Sequence, residues 1–172
     1  GQAHICLGTT AYAYTHPKQY DLIVANTALG GGMSSRLFQM VRERLGLAYS
    51  VYSYVEALED TGLFGTYVAC DRKKVTPVIE AVKSELIKFR EQGITPEELS
   101  SCKAQLGSEL IMGVENMGRR MSRVATEEIY TGRYSPPEEI LASIDGVTAE
   151  GVLEVGRTHI NEDRMHLVTV GP

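Results

Sequence analysis

Residues 2–14 alternate in character. Ala3, Ile5, Leu7 and Thr9 fall on one side and His4, Cys6, Gly8 and Thr10 on the other. Period-two alternation rich in β-branched and aromatic residues predicts a half-buried strand. Thr15-His16-Pro17 ends it, and Pro17 suits the first turn of a helix, where its missing N–H costs nothing. Leu22, Ile23, Ala25, Ala28 and Leu29 give that helix an apolar stripe, and Gly30-Gly31-Gly32 stops it. Met33 to Leu45 reads as a second helix, with Leu37, Phe38, Val41 and Leu45 at helical spacing. Ser34 and Ser35 are placed as its caps and Gly46 as its C-terminal stop. Two strand-like runs follow, 48–56 and 62–70, joined by the turn chemistry of Leu58-Glu59-Asp60-Thr61, so they predict an antiparallel hairpin.

The second half reads as mostly helical. Val75, Val78, Ile79, Val82, Leu86 and Phe89 form a stripe ending at Gly93. Thr95-Pro96-Glu97-Glu98 combines an N-cap, a proline at the first helical position and a glutamate three after the threonine, a capping box. The helix it opens carries Leu99, Cys102, Leu106, Leu110, Val114, Met117 and Met121 and extends towards Tyr130, with Gly107, Gly113 and Gly118 as sites for a bend. Ser135-Pro136-Pro137-Glu138 opens another, Thr148 a last one to His159, and 164–170 closes with a strand. The order strand, two helices, hairpin, four helices, strand predicts an α+β fold: an antiparallel sheet, mixed pairing left open, with helices layered on one face. No repeat, low-complexity tract or linker divides the chain, so 1–172 is expected to be a single domain.

Composition narrows the function classes. With 172 residues, 43% hydrophobic and 23% charged, the chain is long enough to bury a core unaided. Its net charge of -5 argues against a nucleic-acid surface, and no stretch approaches the 18 or so apolar residues of a membrane span. Cys6, Cys70 and Cys102 are odd in number and widely spaced; they predict small apolar packing residues and a reducing, cytoplasmic setting. None of His4, His16, His159 and His166 has another histidine three or four residues away, so no helix turn presents a ready metal pair.

Among chemistry-bearing segments, the glycine triplet follows a helix and lacks the lysine of a P-loop, so it is not a nucleotide loop. Ser34 and Ser35 have no nearby histidine to activate them. Arg42 stands near a helix end, seven residues before Tyr49 at the start of a strand. A helix end followed by a strand start can aim a guanidinium and a phenol at one point, donors suited to a carbonyl oxygen. On spacing alone, a surface arginine and a core tyrosine remain the plainer reading.

Residues 30–53, GGGMSSRLFQMVRERLGLAYSVYS, resemble the C-terminal half of the insulinase/pitrilysin family of zinc peptidases, especially the bacterial members similar to mitochondrial processing peptidase. Gln2-Ala3-His4, the hairpin and Thr95-Pro96-Glu97-Glu98-Leu99 follow in the family's order, so the resemblance covers nearly the whole chain. It implies a processing-peptidase-like metallohydrolase half. In that family an N-terminal half binds zinc through an inverted HxxEH helix and faces a C-terminal half across a closed chamber. The C-terminal half has no metal but supplies an Arg and a Tyr that hold the peptide. Arg42 and Tyr49 match those positions, and Gly30, Gly31 and Gly32 match a flexible turn that lets the halves approach.

No HxxEH occurs in this chain. The resemblance therefore implies the substrate-binding, non-catalytic half of a zinc metallopeptidase acting on unfolded peptides. The chain alone is expected to be inactive, with its zinc in an N-terminal half on the same polypeptide or a separate subunit. The alternative is a catalytically inactive scaffold or partner subunit; an HxxEH motif immediately upstream in the gene would decide for the first. A chain separated from its partner half would bare a normally covered surface, so self-association is expected of it.

Overall fold

The computed structural model describes residues 1–161 and 164–171. Among them, strands β1 (Gln2–Ala11), β2 (Ala48–Ala57), β3 (Gly62–Asp71) and β4 (His166–Val170) form one sheet in the order β2-β3-β1-β4. Every pairing in it is antiparallel. The alternation of β1 sorts the two faces as its pattern predicts. Ala3, Ile5, Leu7 and Thr9 are buried opposite Cys70, Val68, Thr66 and Phe64 of β3. Onto this face pack α1 (Gln19–Gly30), α2 (Val75–Gln92) and α6 (Ala149–His159), through Leu22, Leu29, Val82, Phe89, Val152 and Val155. Each such side chain, fully buried, contributes roughly 1.5–3 kcal/mol. Helix α3 (Pro96–Glu115) packs on α1, and α5 (Pro137–Asp145) on α3. The opposite sheet face leaves His4, Tyr52, Leu63 and Val168 exposed.

Several boundaries differ from the sequence reading, each for a local reason. β1 stops at Ala11 because Tyr12 turns aside, its ring stacked on His16 at 3.9 Å and edge-on to His159 at 4.2 Å. Pro17 precedes α1 instead of entering it; the Lys18 amide donates to His16 Nδ1 (3.1 Å) and the helix starts at Gln19. The helix expected over Met33–Leu45 begins at Arg36, and Phe38–Arg44 is π-helical, the Leu45 amide donating five residues back to Met40 O (3.1 Å). Neither serine caps it: Ser35 is buried and donates its hydroxyl to Gly32 O (2.6 Å). Gly46 does occupy the left-handed stop, with φ 58°.

The capping box of α3 forms in full, Thr95 Oγ1 accepting the Glu98 amide and Glu98 Oε2 the Thr95 amide. The long helix it opens then breaks at Asn116, not at a glycine. Asn116 adopts ψ 110° and its Oδ1 accepts the Arg119 amide (3.0 Å), capping a separate helix α4 (Met117–Thr131). Among the described residues, five α-helices therefore follow the hairpin where four helices are expected. Cys70 and Cys102 are buried, whereas Cys6 lies on the helix-poor sheet face beside Tyr54, Sγ to Oη 3.2 Å.

Candidate functional site

Arg42 and Tyr49 sit on the two arms of the turn around Gly46. Arg42 is on the π-helical segment, exposed, its guanidinium carbon 4.9 Å from the centroid of the Phe38 ring one turn earlier. That cation–π contact restrains the side chain without using its N–H donors. The turn itself is tied down from both sides. The Leu47 amide donates to Val41 O (2.9 Å), and Lys74 Nζ donates to Gly46 O (2.8 Å).

Tyr49 owes its position to a β-bulge. Ala48 pairs with Cys70 and Ser50 with Ala69, so Tyr49 is an extra residue without a partner of its own on β3. Simple alternation would set Tyr49 on the same side as Val51 and Ser53, which are buried. The bulge removes it from that face and leaves it 54% exposed, which excludes the core-tyrosine reading. Phenol and guanidinium are thus both exposed, on either side of the Gly46 turn, each with a donor able to meet a carbonyl oxygen.

The glycine turn is built by close approach. A Cβ on Gly30 would overlap the Ser53 backbone nitrogen and lie 2.8 Å from Ser53 Cβ; one on Gly31 would lie 2.6 Å from Thr27 Cα. Positive φ occurs at Gly46, Gly93 and Gly132, not in this triplet. Gly30 therefore seats the end of α1 directly on β2, four residues and roughly 13 Å along the strand from Tyr49. Ser53 Oγ completes the contact by donating to Asn26 O (3.0 Å).

Two residues that support this region escaped the sequence reading. Arg36 is half-buried and forks onto Glu98: Nε to Oε1 2.7 Å and Nη2 to Oε2 2.6 Å, with Nη2 also donating to Gly93 O (2.8 Å). The Arg36 hydrogen bond holds the Glu98 carboxyl below the usual carboxylate range, and the same bond raises Arg36. Gln105 of α3 donates to Gly31 O (3.0 Å). The partners are 62 and 74 residues apart in sequence, so no local pattern announces them.

No group of three or more His, Cys, Asp or Glu among the described residues stands close enough to hold a metal ion. Nor is any helix among them long and apolar enough to cross a membrane. A cleft of about 930 Å³ lies elsewhere, between the start of α1 and helices α4 and α5, and includes neither Arg42 nor Tyr49.

Residues 1–106 match the family model described as peptidase M16 inactive domain. The chain belongs to the peptidase M16 family. It is 41% identical over 171 residues to an uncharacterized zinc protease of Streptomyces coelicolor, covering 99% of this chain and 37% of that protein. It is 39% identical over 162 residues to the uncharacterized zinc protease YmxG of Bacillus subtilis, covering 94% and 40% respectively. A crystal structure of a peptidase M16 inactive domain from Pseudomonas fluorescens superposes with a TM-score of 0.89 at 24% identity, over 99% of this chain and 41% of that one. The M16 inactive-domain fold thus agrees with the α+β sheet and helical layer described above. The chain spans about two fifths of the length of the curated relatives it matches.

Proposed function

We propose that this M16 inactive domain is the substrate-holding C-terminal half of a zinc metallopeptidase that hydrolyses unfolded peptides in the cytoplasm. The zinc belongs to an N-terminal catalytic half that closes a chamber with it, on the same polypeptide or as a separate subunit. The observation that carries the reading is the bulge at Tyr49, which spends a ladder position and leaves its phenol exposed across the Gly46 turn from the segment that carries Arg42. Conserving apolar packing alone needs no such device.

In this reading Arg42 fixes the backbone of the bound peptide and Tyr49 donates a hydrogen bond to the scissile carbonyl oxygen as negative charge builds on it. Donors aimed at developing charge are worth about 3 kcal/mol, on the order of 100-fold in rate. The Gly30–Gly32 turn lets the two halves come together closely. The test is Tyr49→Phe in the assembled enzyme. Turnover falls on the order of 100-fold while zinc content stays that of the parent; undiminished turnover sinks the assignment.

A further inference from the structure

Helix α4 has its amphipathic character reversed. Its buried side chain is a carboxylate: Glu127 accepts the Ser135 amide (2.8 Å) and faces Arg123, Nη1 to Oε1 3.5 Å. On the same side Tyr130 packs against Tyr14 with ring centroids 4.7 Å apart. The apolar stripe faces outward instead. Met117, Met121, Val124 and Ala125 follow helical spacing and, with Arg120 and Glu128, line a shallow depression of about 490 Å³. Met117 is 74% and Met121 70% exposed, and Ile111 and Met112 near the end of α3 are exposed as well.

The sequence pattern predicts these methionines as a continuation of the α3 core stripe. The Asn116 cap turns the chain before they arrive, so a hydrogen-bonded feature of the backbone presents them to solvent. Exposed apolar surface concentrated on one capped element marks a contact surface, and unbranched methionine adapts well to a partner. The identity of the partner follows from length. The chain spans 37% and 40% of two curated relatives, so more than half of each of those proteins lies outside the matched region.

We infer that the Met117–Met121–Val124 stripe of α4 is a seat for the catalytic half, which meets it with an apolar surface. This inference rests on the two-half reading above and adds the location of the contact.

Peroxide oxidation with peptide mass spectrometry reads the surface directly, because exposed thioethers oxidise and covered ones are shielded. The comparison is the chain alone against the chain assembled with the catalytic half encoded by its own gene. Met117 and Met121 oxidise at least about tenfold more slowly in the assembly. The double variant Met117→Lys, Met121→Lys keeps its circular dichroism, since both positions are exposed, and binds the catalytic half at least about tenfold more weakly. Equal oxidation rates in an intact complex overturn the seat and leave the two-half reading standing. Shielding that is lost when the chain alone is diluted and is not restored by the catalytic half makes a second copy the occupant and also overturns it. Failure of the two parts to associate at all overturns both.

Discussion

Gly30→Ala isolates the claim that the glycine turn exists for contact between α1 and β2. In an unobstructed helix interior the change gains about 1 kcal/mol in propensity. Here the new methyl would overlap the Ser53 backbone nitrogen and lie 2.8 Å from Ser53 Cβ. A strand backbone cannot rotate aside as a side chain can, so relief requires α1 to move off β2 and lengthens the Ser53 Oγ to Asn26 O bond of 3.0 Å. Overpacking costs about 1–3 kcal/mol and more where the obstacle is rigid; set against the propensity gain, the net loss is about 2 kcal/mol. For a chain of this size that lowers Tm by roughly 4–8 °C. Gly32→Ala is the control two residues away. Its nearest neighbour is the flexible end of Gln105, Nε2 at 3.6 Å, an ordinary contact. That variant stays within about 0.5 kcal/mol of the parent. Thermal and urea melts of the two variants by circular dichroism decide the matter: equal stability would refute the close-approach argument.

Two pH predictions follow from charged and buried groups. Arg36 lowers the Glu98 pKa on folding, so the pair's stabilisation is present above the unfolded value of about 4.3 and is lost as pH falls through the lower folded value. Glu98→Gln flattens the stability curve on its acid side, below about pH 5; urea midpoints that run parallel for parent and variant there contradict the assignment. Burial lowers the His159 pKa, against the hydrogen bond to Thr10 O and with a smaller contribution from His16. The neutral ring is therefore the folded form, and its stabilisation is complete above the unfolded pKa of about 6.5 and declines as pH falls through the folded one. His159→Phe removes that share of the decline, measured as Tm across the same range. A decline of undiminished slope places the proton elsewhere.

What the sequence made legible was what short-range chemistry controls. The capping box at Thr95, the Thr148 cap that accepts the Gly151 amide, and the alternation of β1 each determine an element from within a few residues. The Arg42…Tyr49 spacing was visible too, but spacing alone could not tell a core tyrosine from an exposed one. That depends on a one-residue register shift against β3, which is a property of the pair of strands. The Asn116 break was hidden because an apolar stripe at helical spacing runs on past it; a cap competes with helix continuation through hydrogen bonds that periodicity does not register. Arg36 was hidden for a different reason. Its partner Glu98 also closes the capping box, and the carboxylate serves both roles at once, one oxygen facing the Thr95 amide and both facing the guanidinium.

The central claim is that this chain holds substrate and does no chemistry alone. It is tested most directly by assaying hydrolysis of an unfolded peptide with the chain alone, the catalytic half alone, and the two together, each with zinc measured by atomic absorption. Zinc is expected only where the catalytic half is present, and efficient hydrolysis only in the mixture. Stoichiometric zinc on the isolated chain, with peptidase activity that a chelator abolishes, would contradict it.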